Sequence, residues 1–317
     1  MPQSLYHPSW EDFDSSKIQC YMDCPRKYFY NYILGWESDR PNNHLIFGQA
    51  WHEGMEHIMT HTMTEDAIEP AYNRFLAKYR ESFPAETDEL FIPKTPNNAF
   101  LGYCVYIGKY RNQDRFQTLH VEIGGKVHTG KHSLIYKMDH VGKDENSRIF
   151  AFEHKTTSGG FKQVWFDEWL LSLQIGTYSY ALKCMFPEVQ SPLVIINGAS
   201  FSKKKVDCER QPVKKSPGQL RTWLFTVNYW IDSIKDEMDL MLKPGMKDAS
   251  TFTAFPMNPR ACTNYFRLCP YHDFCMAWQN PLTRALDGPP EGFIIRYWNP
   301  LEELDIKERI DLEGIDL

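Results

Sequence analysis

Apolar residues recur at three- and four-residue spacing through LIFGQAWHEGMEHIM, TEDAIEPAYNRFLAKYRESF and NNAFLGYCVYIGKYRNQ, which predicts amphipathic helices to about residue 113. Ahead of them, Ser15 and Ser16 are suited to cap a helix ending near Met22. A second helix is expected from CPRKYFYNYILG, with Pro25 in its first turn and Gly35 past its end. The period then changes. HVEIGG, SLIYKMDHVG and RIFAFEHKT alternate or run with β-branched and aromatic residues between Gly-rich and KDENS turns, the signature of an antiparallel meander.

Further along, VWFDEWLLSLQIGTYSYALKCMF reads as one long helix and PLVIINGASF as a strand. SKKKVDCERQPVKK reads as a basic loop, TWLFTV as another strand and YWIDSIKDEMDLML as a helix. No internal repeat, low-complexity run or clear linker interrupts this order. The pattern predicts an α/β fold, a central mixed sheet flanked by helices, with helical material before it and a cysteine-bearing segment after it. One domain is expected over residues 1–281, its core at about 115–230, followed by a tail over 282–317 that is acidic at its end.

Composition refines this picture. With 317 residues, 42% hydrophobic and 15% aromatic, the chain has ample material for a buried core. The opening residues contain no apolar run bounded by basic residues, and no segment offers about 18 consecutive apolar residues, so a cytoplasmic, membrane-free location is expected. In a reducing compartment, grouped cysteines suggest metal or cluster ligands before disulfides; isolated Cys104 and Cys184 suit packing. The net charge of -6 is misleading as a guide to partners, because LEELDIKERIDLEGIDL holds seven acidic and two basic residues. Elsewhere Lys203, Lys204, Lys205, Arg210, Lys214 and Lys215 gather in one stretch, read as a phosphate-neutralising patch or as a solvated loop.

GKVHTGK, residues 125–131, nearly spells a phosphate-binding loop, but His132 stands where a Ser or Thr is required and a strand pattern follows, so a hairpin turn is expected. More informative are Asp139, near the end of one predicted strand, and Glu153, His154 and Lys155 on the next. Strand alternation points Glu153 and Lys155 to one face and Phe150, Phe152 and His154 to the other, and the turn brings Asp139 towards Glu153. Paired carboxylates repel unless a divalent cation such as magnesium or manganese neutralises them, and a nearby lysine suits phosphodiester hydrolysis. On helices, Gly48 and His52 lie one turn apart, as do Gln174 and Tyr178.

Taken in order, C-P-R-K-Y, G-x-x-x-H, Asp, Glu-x-Lys, Q-x-x-x-Y and three late cysteines resemble the PD-(D/E)XK nuclease superfamily. Within it they resemble the RecB-like branch with an iron-sulfur cluster, as in the AddB nuclease domain and small CRISPR-associated exonucleases. The resemblance runs from about Ser15 to Cys275 and departs from the family name at Met138, which replaces the proline. It implies a restriction-endonuclease-like core, with His52, Asp139, Glu153 and the backbone carbonyl of His154 as metal ligands. Lys155 would be the catalytic lysine, and Gln174 and Tyr178 would position lysine and DNA.

The resemblance also implies a 4Fe-4S cluster held by Cys24 from before the core and Cys262, Cys269 and Cys275 from after it. Zinc is the rival occupant, with His272 as a further donor, although zinc ligand pairs usually stand closer than C-x6-C-x5-C. Cys20, one helical turn before Cys24, is the alternative fourth ligand. Arg26, Lys27 and Lys203, Lys204 and Lys205 are the expected DNA contacts. The functional expectation is a Mg2+- or Mn2+-dependent DNA exonuclease acting on single strands or ends, with any unwinding left to a helicase partner. The alternatives are a non-catalytic DNA-binding or assembly scaffold, and a structural zinc protein.

Overall fold

The computed structural model describes residues 6–61, 63–264, 267–285, 287–303, 306–315 and 317. In chain order the elements begin with β1 (Phe13–Asp14), α1 (Ser15–Asp23), α2 (Pro25–Tyr28), β2 (Trp36–Ser38), α3 (Asn43–Thr60), α4 (Ile68–Arg80) and α5 (Pro96–Tyr110). They continue with β3 (Phe116–His128), β4 (Ser133–Asp144), β5 (Ile149–Thr157), α6 (Gln163–Asp167), α7 (Leu173–Met185), β6 (Leu193–Phe201) and β7 (Val206–Lys214). Last come α8 (Pro217–Met241), β8 (Thr263–Asn264), β9 (Arg267–Leu268), α9 (His272–Ala277), β10 (Phe293–Ile295), α10 (Pro300–Glu303) and β11 (Glu308–Arg309).

A mixed seven-stranded sheet runs β11-β3-β4-β5-β6-β7, with β1 pairing β4 in parallel. β4 and β5 are antiparallel with His140 opposite Phe152, which carries Asp139 to Glu153. β5 and β6 are parallel with His154 opposite Asn197, and β7 returns antiparallel with Arg210 opposite Asn197. The predicted α/β architecture of a mixed sheet flanked by helices is therefore present.

The chain forms two compact units. One comprises residues 1–40, 127–135 and 221–304; the other comprises 41–126, 136–220 and 305–317. In the second unit, Phe47, Trp51 and Met55 of α3, Phe75 of α4 and Tyr103 of α5 pack on Phe150 and Phe152 of β5 and Phe201 of β6. Each buried large apolar side chain contributes on the order of 2–3 kcal/mol. Gly54 is required where α3 meets its neighbours, since a Cβ there would lie 2.8 Å from the Ala71 carbonyl and collide with Tyr103 Oη.

In the first unit, α1 is capped by Asp14, whose carboxylate accepts from Lys17 N at 2.7 Å, rather than by Ser15 or Ser16. The chain turns extended at Cys24 before α2, so this thiol sits at a break between helices. β2 and β10 pair antiparallel beneath an aromatic nest in which Tyr30 stacks on Tyr271 at 5.1 Å. The loop resembling a phosphate-binding motif is a hairpin turn closed by Thr129 N donating to His132 O at 2.8 Å.

Three sequence readings are corrected. The helix expected from 164 to 186 is broken into α6 and α7, because Ser172 caps the second by accepting from Ile175 N. TWLFTV is helical, not a strand: Leu220, Trp223, Val227, Ile231, Ile234, Met238 and Met241 form a buried stripe at three- and four-residue spacing along α8. The expected basic loop is largely β7, a polar edge strand of the kind that resists further pairing. Lys215 is buried and donates to Leu170 O at 2.8 Å, and Arg210 also turns inward.

Candidate active site

His52, Asp139, Glu153, His154, Lys155, Gln174 and Tyr178 all fall in the second unit. Strand alternation turns Phe150 and Phe152 into the aromatic core and leaves Glu153 and Lys155 on the face where α7 begins. Glu153 is buried, and its Oε1 contacts Lys155 Nζ and accepts from Gln174 Nε2 at 3.0 Å. Gln174 Nε2 also donates to Tyr178 Oη at 2.8 Å, so the i,i+4 pair on α7 holds one carboxylate oxygen in place. The other oxygen, Oε2, is buried with no hydrogen-bond partner.

On the neighbouring strand, Asp139 Oδ2 accepts from His154 N at 2.7 Å, and Oδ1 lies 3.3 Å from His52 Nδ1. His52 reaches from α3, and its Nε2 donates to His154 O at 2.8 Å. An imidazolium makes both contacts at once. Although burial opposes the charged ring, Asp139 beside it raises the pKa above its ordinary value. Asp139 is correspondingly held below the usual carboxylate range, burial being overcome by His52.

A third carboxylate joins them. Glu122 on β3 is buried and its backbone is left-handed, with φ at 50°. Lys137 of β4 pairs with it. Burial, then the negative charge of Asp139, pushes the Glu122 pKa up to about 8. The same two causes, in the same order, raise Glu153. Sequence reasoning passed over Glu122 because HVEIGG reads as an ordinary alternating strand. The clue was a lone carboxylate three residues before Gly125 on the strand preceding Asp139.

His154 bonds to Asp139 and His52 through its backbone, and its ring lies edge-on to that of His52 at 5.9 Å. Its ring is anchored on the opposite side, where Asn197 Nδ2 lies 3.1 Å from Nδ1. Arg210 Nε donates to Asn197 Oδ1 at 3.2 Å, and its two terminal nitrogens each meet an Asp114 oxygen at 2.6 Å. Burial pushes the His154 pKa down to about 3, so the ring is neutral and works as a strut.

Three buried carboxylates are thus matched by His52, Lys137 and Lys155. Among the described residues, no three His, Cys, Asp or Glu side chains are gathered into a finished ion site. The donor chemistry nevertheless fits a hard divalent ion: an unbonded carboxylate oxygen on Glu153, and two carboxylates whose raised pKa values report excess negative charge in a dry place.

Cys20, Cys24, Cys262, Cys269 and Cys275 belong to the first unit, where, among the described residues, no three of them are drawn together as a finished ion site. Cys24 Sγ accepts from Asn258 N at 3.4 Å. The short hairpin β8-β9 separates Cys262 from Cys269, and Cys269 N donates to Cys262 O at 2.8 Å. Cys275 lies on α9, where burial lifts its thiol to about 11; Arg26 lowers it, and Cys24, Cys269 and Cys262 raise it. All eight cysteines are free thiols. Cys20 is buried too, and its thiol, raised to about 12 chiefly by burial, feels both Cys24 and Cys269.

The expected DNA contacts separate. Lys203, Lys204 and Lys205 are exposed on the β6-β7 turn, Lys205 pairing with Asp207 at 2.6 Å. Arg26 is buried and donates to the carbonyls of Phe255 and Phe252 at 2.9 and 3.3 Å, so it serves the interior of its own unit. Lys27 is half-buried, near the thiols of Cys20 and Cys269. No helix among the described residues is long and apolar enough to cross a membrane.

Compared with known proteins, residues 15–276 match the profile of the PD-(D/E)XK nuclease superfamily. No curated protein matches the chain in sequence. Among solved structures, a candidate exonuclease from Eubacterium rectale superposes with a TM-score of 0.47 at 14% identity, covering 74% of this chain and 86% of its own. A protein designated SSO0001 superposes with a TM-score of 0.25 at 12% identity, covering 63% and 88% respectively.

Proposed function

Since the chain belongs to the PD-(D/E)XK nuclease superfamily, we propose that it is a metal-dependent nuclease that hydrolyses phosphodiester bonds in DNA, acting on single strands or ends. The observation that carries this reading is the meeting of Asp139, Glu153 and Lys155 on adjacent strands, with Gln174 holding Glu153 and His52 holding Asp139. Asp139, Glu153 and the His154 carbonyl would hold Mg2+ or Mn2+, with His52 joining them as a neutral ligand on giving up a proton, and Glu122 the nearest additional carboxylate. The ion supplies Lewis-acid activation of water and phosphate.

The remaining work belongs to the protein. Lys155, tethered by Glu153, orients the attacking water and meets the negative charge that grows on the phosphoryl oxygens. Gln174 and Tyr178 fix the Glu153 carboxylate, which keeps Oε1 on Lys155 and would leave Oε2 for the ion. The His154-Asn197-Arg210 row keeps the backbone at 154 from shifting. The exposed lysines 203–205 would track the phosphate backbone, with Lys27 a further candidate contact and any unwinding left to a helicase partner in the cytoplasm.

For the thiol group we propose a 4Fe-4S cluster on Cys24, Cys262, Cys269 and Cys275, supported by the electrostatic influence of Cys24 and Cys262 on the half-buried thiols of Cys269 and Cys275. Such a cluster would staple the two ends of a nuclease domain spanning residues 1–281. Cys20 is the alternative fourth ligand, and zinc the alternative occupant.

The test is degradation of end-labelled linear against circular single-stranded DNA with manganese. Loss of the linear substrate alone supports an exonuclease, and loss of both an endonuclease. Binding without degradation of either would favour a scaffold that has kept the nuclease fold.

A further inference from the structure

Lys94 is only 4% exposed, yet no carboxylate stands near it: burial alone holds its pKa down to about 8. An ammonium out of water without a counter-charge is costly, and folded chains normally pair it. Here the chain instead fixes it firmly. Lys94 N donates to Phe91 O at 2.8 Å, and its carbonyl accepts from Asn43 Nδ2 at 3.4 Å. Tyr79 Oη in turn donates to Asn43 Oδ1 at 2.7 Å. The Lys94 Nζ lies over the Phe47 ring, 5.5 Å from the centroid. The residue also precedes Thr95, the cap of α5, whose fifteen residues place the positive end of a helix dipole beside it in sequence.

The ammonium donates to Thr156 Oγ1 at 2.9 Å, and Thr156 directly follows Lys155. A hydroxyl that accepts from a cation keeps its own proton to donate onward. Beside it the surface is open: a Cβ at Gly48 would meet only Thr156 Oγ1 within 4 Å, at 3.8 Å. Gly48 lies one helical turn before His52, so this gap borders the residues assigned above to hydrolysis.

We propose that Lys94, Thr156 and the bare backbone at Gly48 form a phosphate subsite, which takes the strand's backbone phosphate next to the one being cleaved. The Thr156 hydroxyl donates to a phosphate oxygen, Lys94 behind it supplies the missing counter-charge, and Gly48 leaves room for the sugar-phosphate chain. This subsite rests on the nuclease reading above and names the part of the substrate read beside the scissile bond.

The experiment replaces single phosphates flanking the cleaved bond by neutral methylphosphonates, one position at a time, and compares wild type with Lys94→Met. Methionine keeps the stem and removes the unpaired charge, so the fold is retained; Thr156→Val and Thr156→Ser serve as the second pair. At one flanking position wild type should lose about 10-fold in kcat/KM, as expected for one charge-assisted hydrogen bond. Lys94→Met should lose about the same on the native strand and nothing further on the modified one. Thr156→Val should follow Lys94→Met, and Thr156→Ser should restore the response. Equal sensitivity of wild type and Lys94→Met at every position would overturn the subsite. If wild type cleaves no DNA, the nuclease reading fails by itself. The subsite is then judged by anisotropy of a fluorescein-labelled single-stranded oligonucleotide, where Lys94→Met should lower the salt slope by about one and an unchanged slope refutes it.

Discussion

Lys94→Met should stabilise the nucleic-acid-free protein while weakening its grip on a strand. Burial lowers the lysine from 10.5 to about 8. At roughly 1.4 kcal/mol per unit, keeping this ammonium charged in the folded state costs about 3 kcal/mol at neutral pH. Loss of the bond to Thr156 Oγ1 offsets about 1 kcal/mol. The variant should therefore be more stable by about 2 kcal/mol at pH 7.

The pH dependence carries a definite sign. Between pH 8 and 10.5 the unfolded lysine binds a proton that the folded one has released, so wild-type stability rises with pH across that window. The variant lacks this term, and the gap between the two should close towards pH 10.5. Urea unfolding at pH 7, 8, 9 and 10, followed by tryptophan fluorescence, measures it. A variant less stable than wild type at pH 7, with a gap unchanged up to pH 10, would refute the claim that the ammonium is buried without a counter-charge.

Other perturbations have their own signatures. Arg210→Met removes a bidentate partner from buried Asp114 and a donor from Asn197, and should cost about 3–5 kcal/mol in urea unfolding. Gly54→Ala drives a methyl into Tyr103 Oη and the Ala71 carbonyl, and should cost roughly 3 kcal/mol by the same measurement. Cys262→Ser should abolish the brown colour and iron content of anaerobically purified protein, whereas iron retained at the wild-type level would remove Cys262 from the ligand set.

The motifs were legible in the sequence where chemistry and strand period reinforce each other. Asp139, Glu153 and Lys155 could be assigned to neighbouring strands and one face because side chains alternate, and Gln174 and Tyr178 to one helix face by the i,i+4 rule. Glu122 was barely legible, since its approach to Asp139 depends on its own left-handed backbone in β3, which only the nearby glycines hint at. Nor was the role of Arg210, which sits in a stretch whose composition says solvent while its pairing with Asp114 draws it inward. TWLFTV misled because six residues of apolar-polar mixture fit either period; only over the full length of α8 does the stripe decide. Lys94 carried no signal at all, because burial without a counter-charge is a property of tertiary structure.

The central claim is that Asp139, Glu153 and Lys155 break the phosphodiester bond. Its most direct test is single-turnover cleavage of a labelled single-stranded oligonucleotide with saturating manganese by wild type and Lys155→Met, with binding measured on the same samples. The account predicts that Lys155→Met binds the strand within about 3-fold of wild type while cleavage falls by at least about 100-fold. Cleavage by Lys155→Met at the wild-type rate would contradict it.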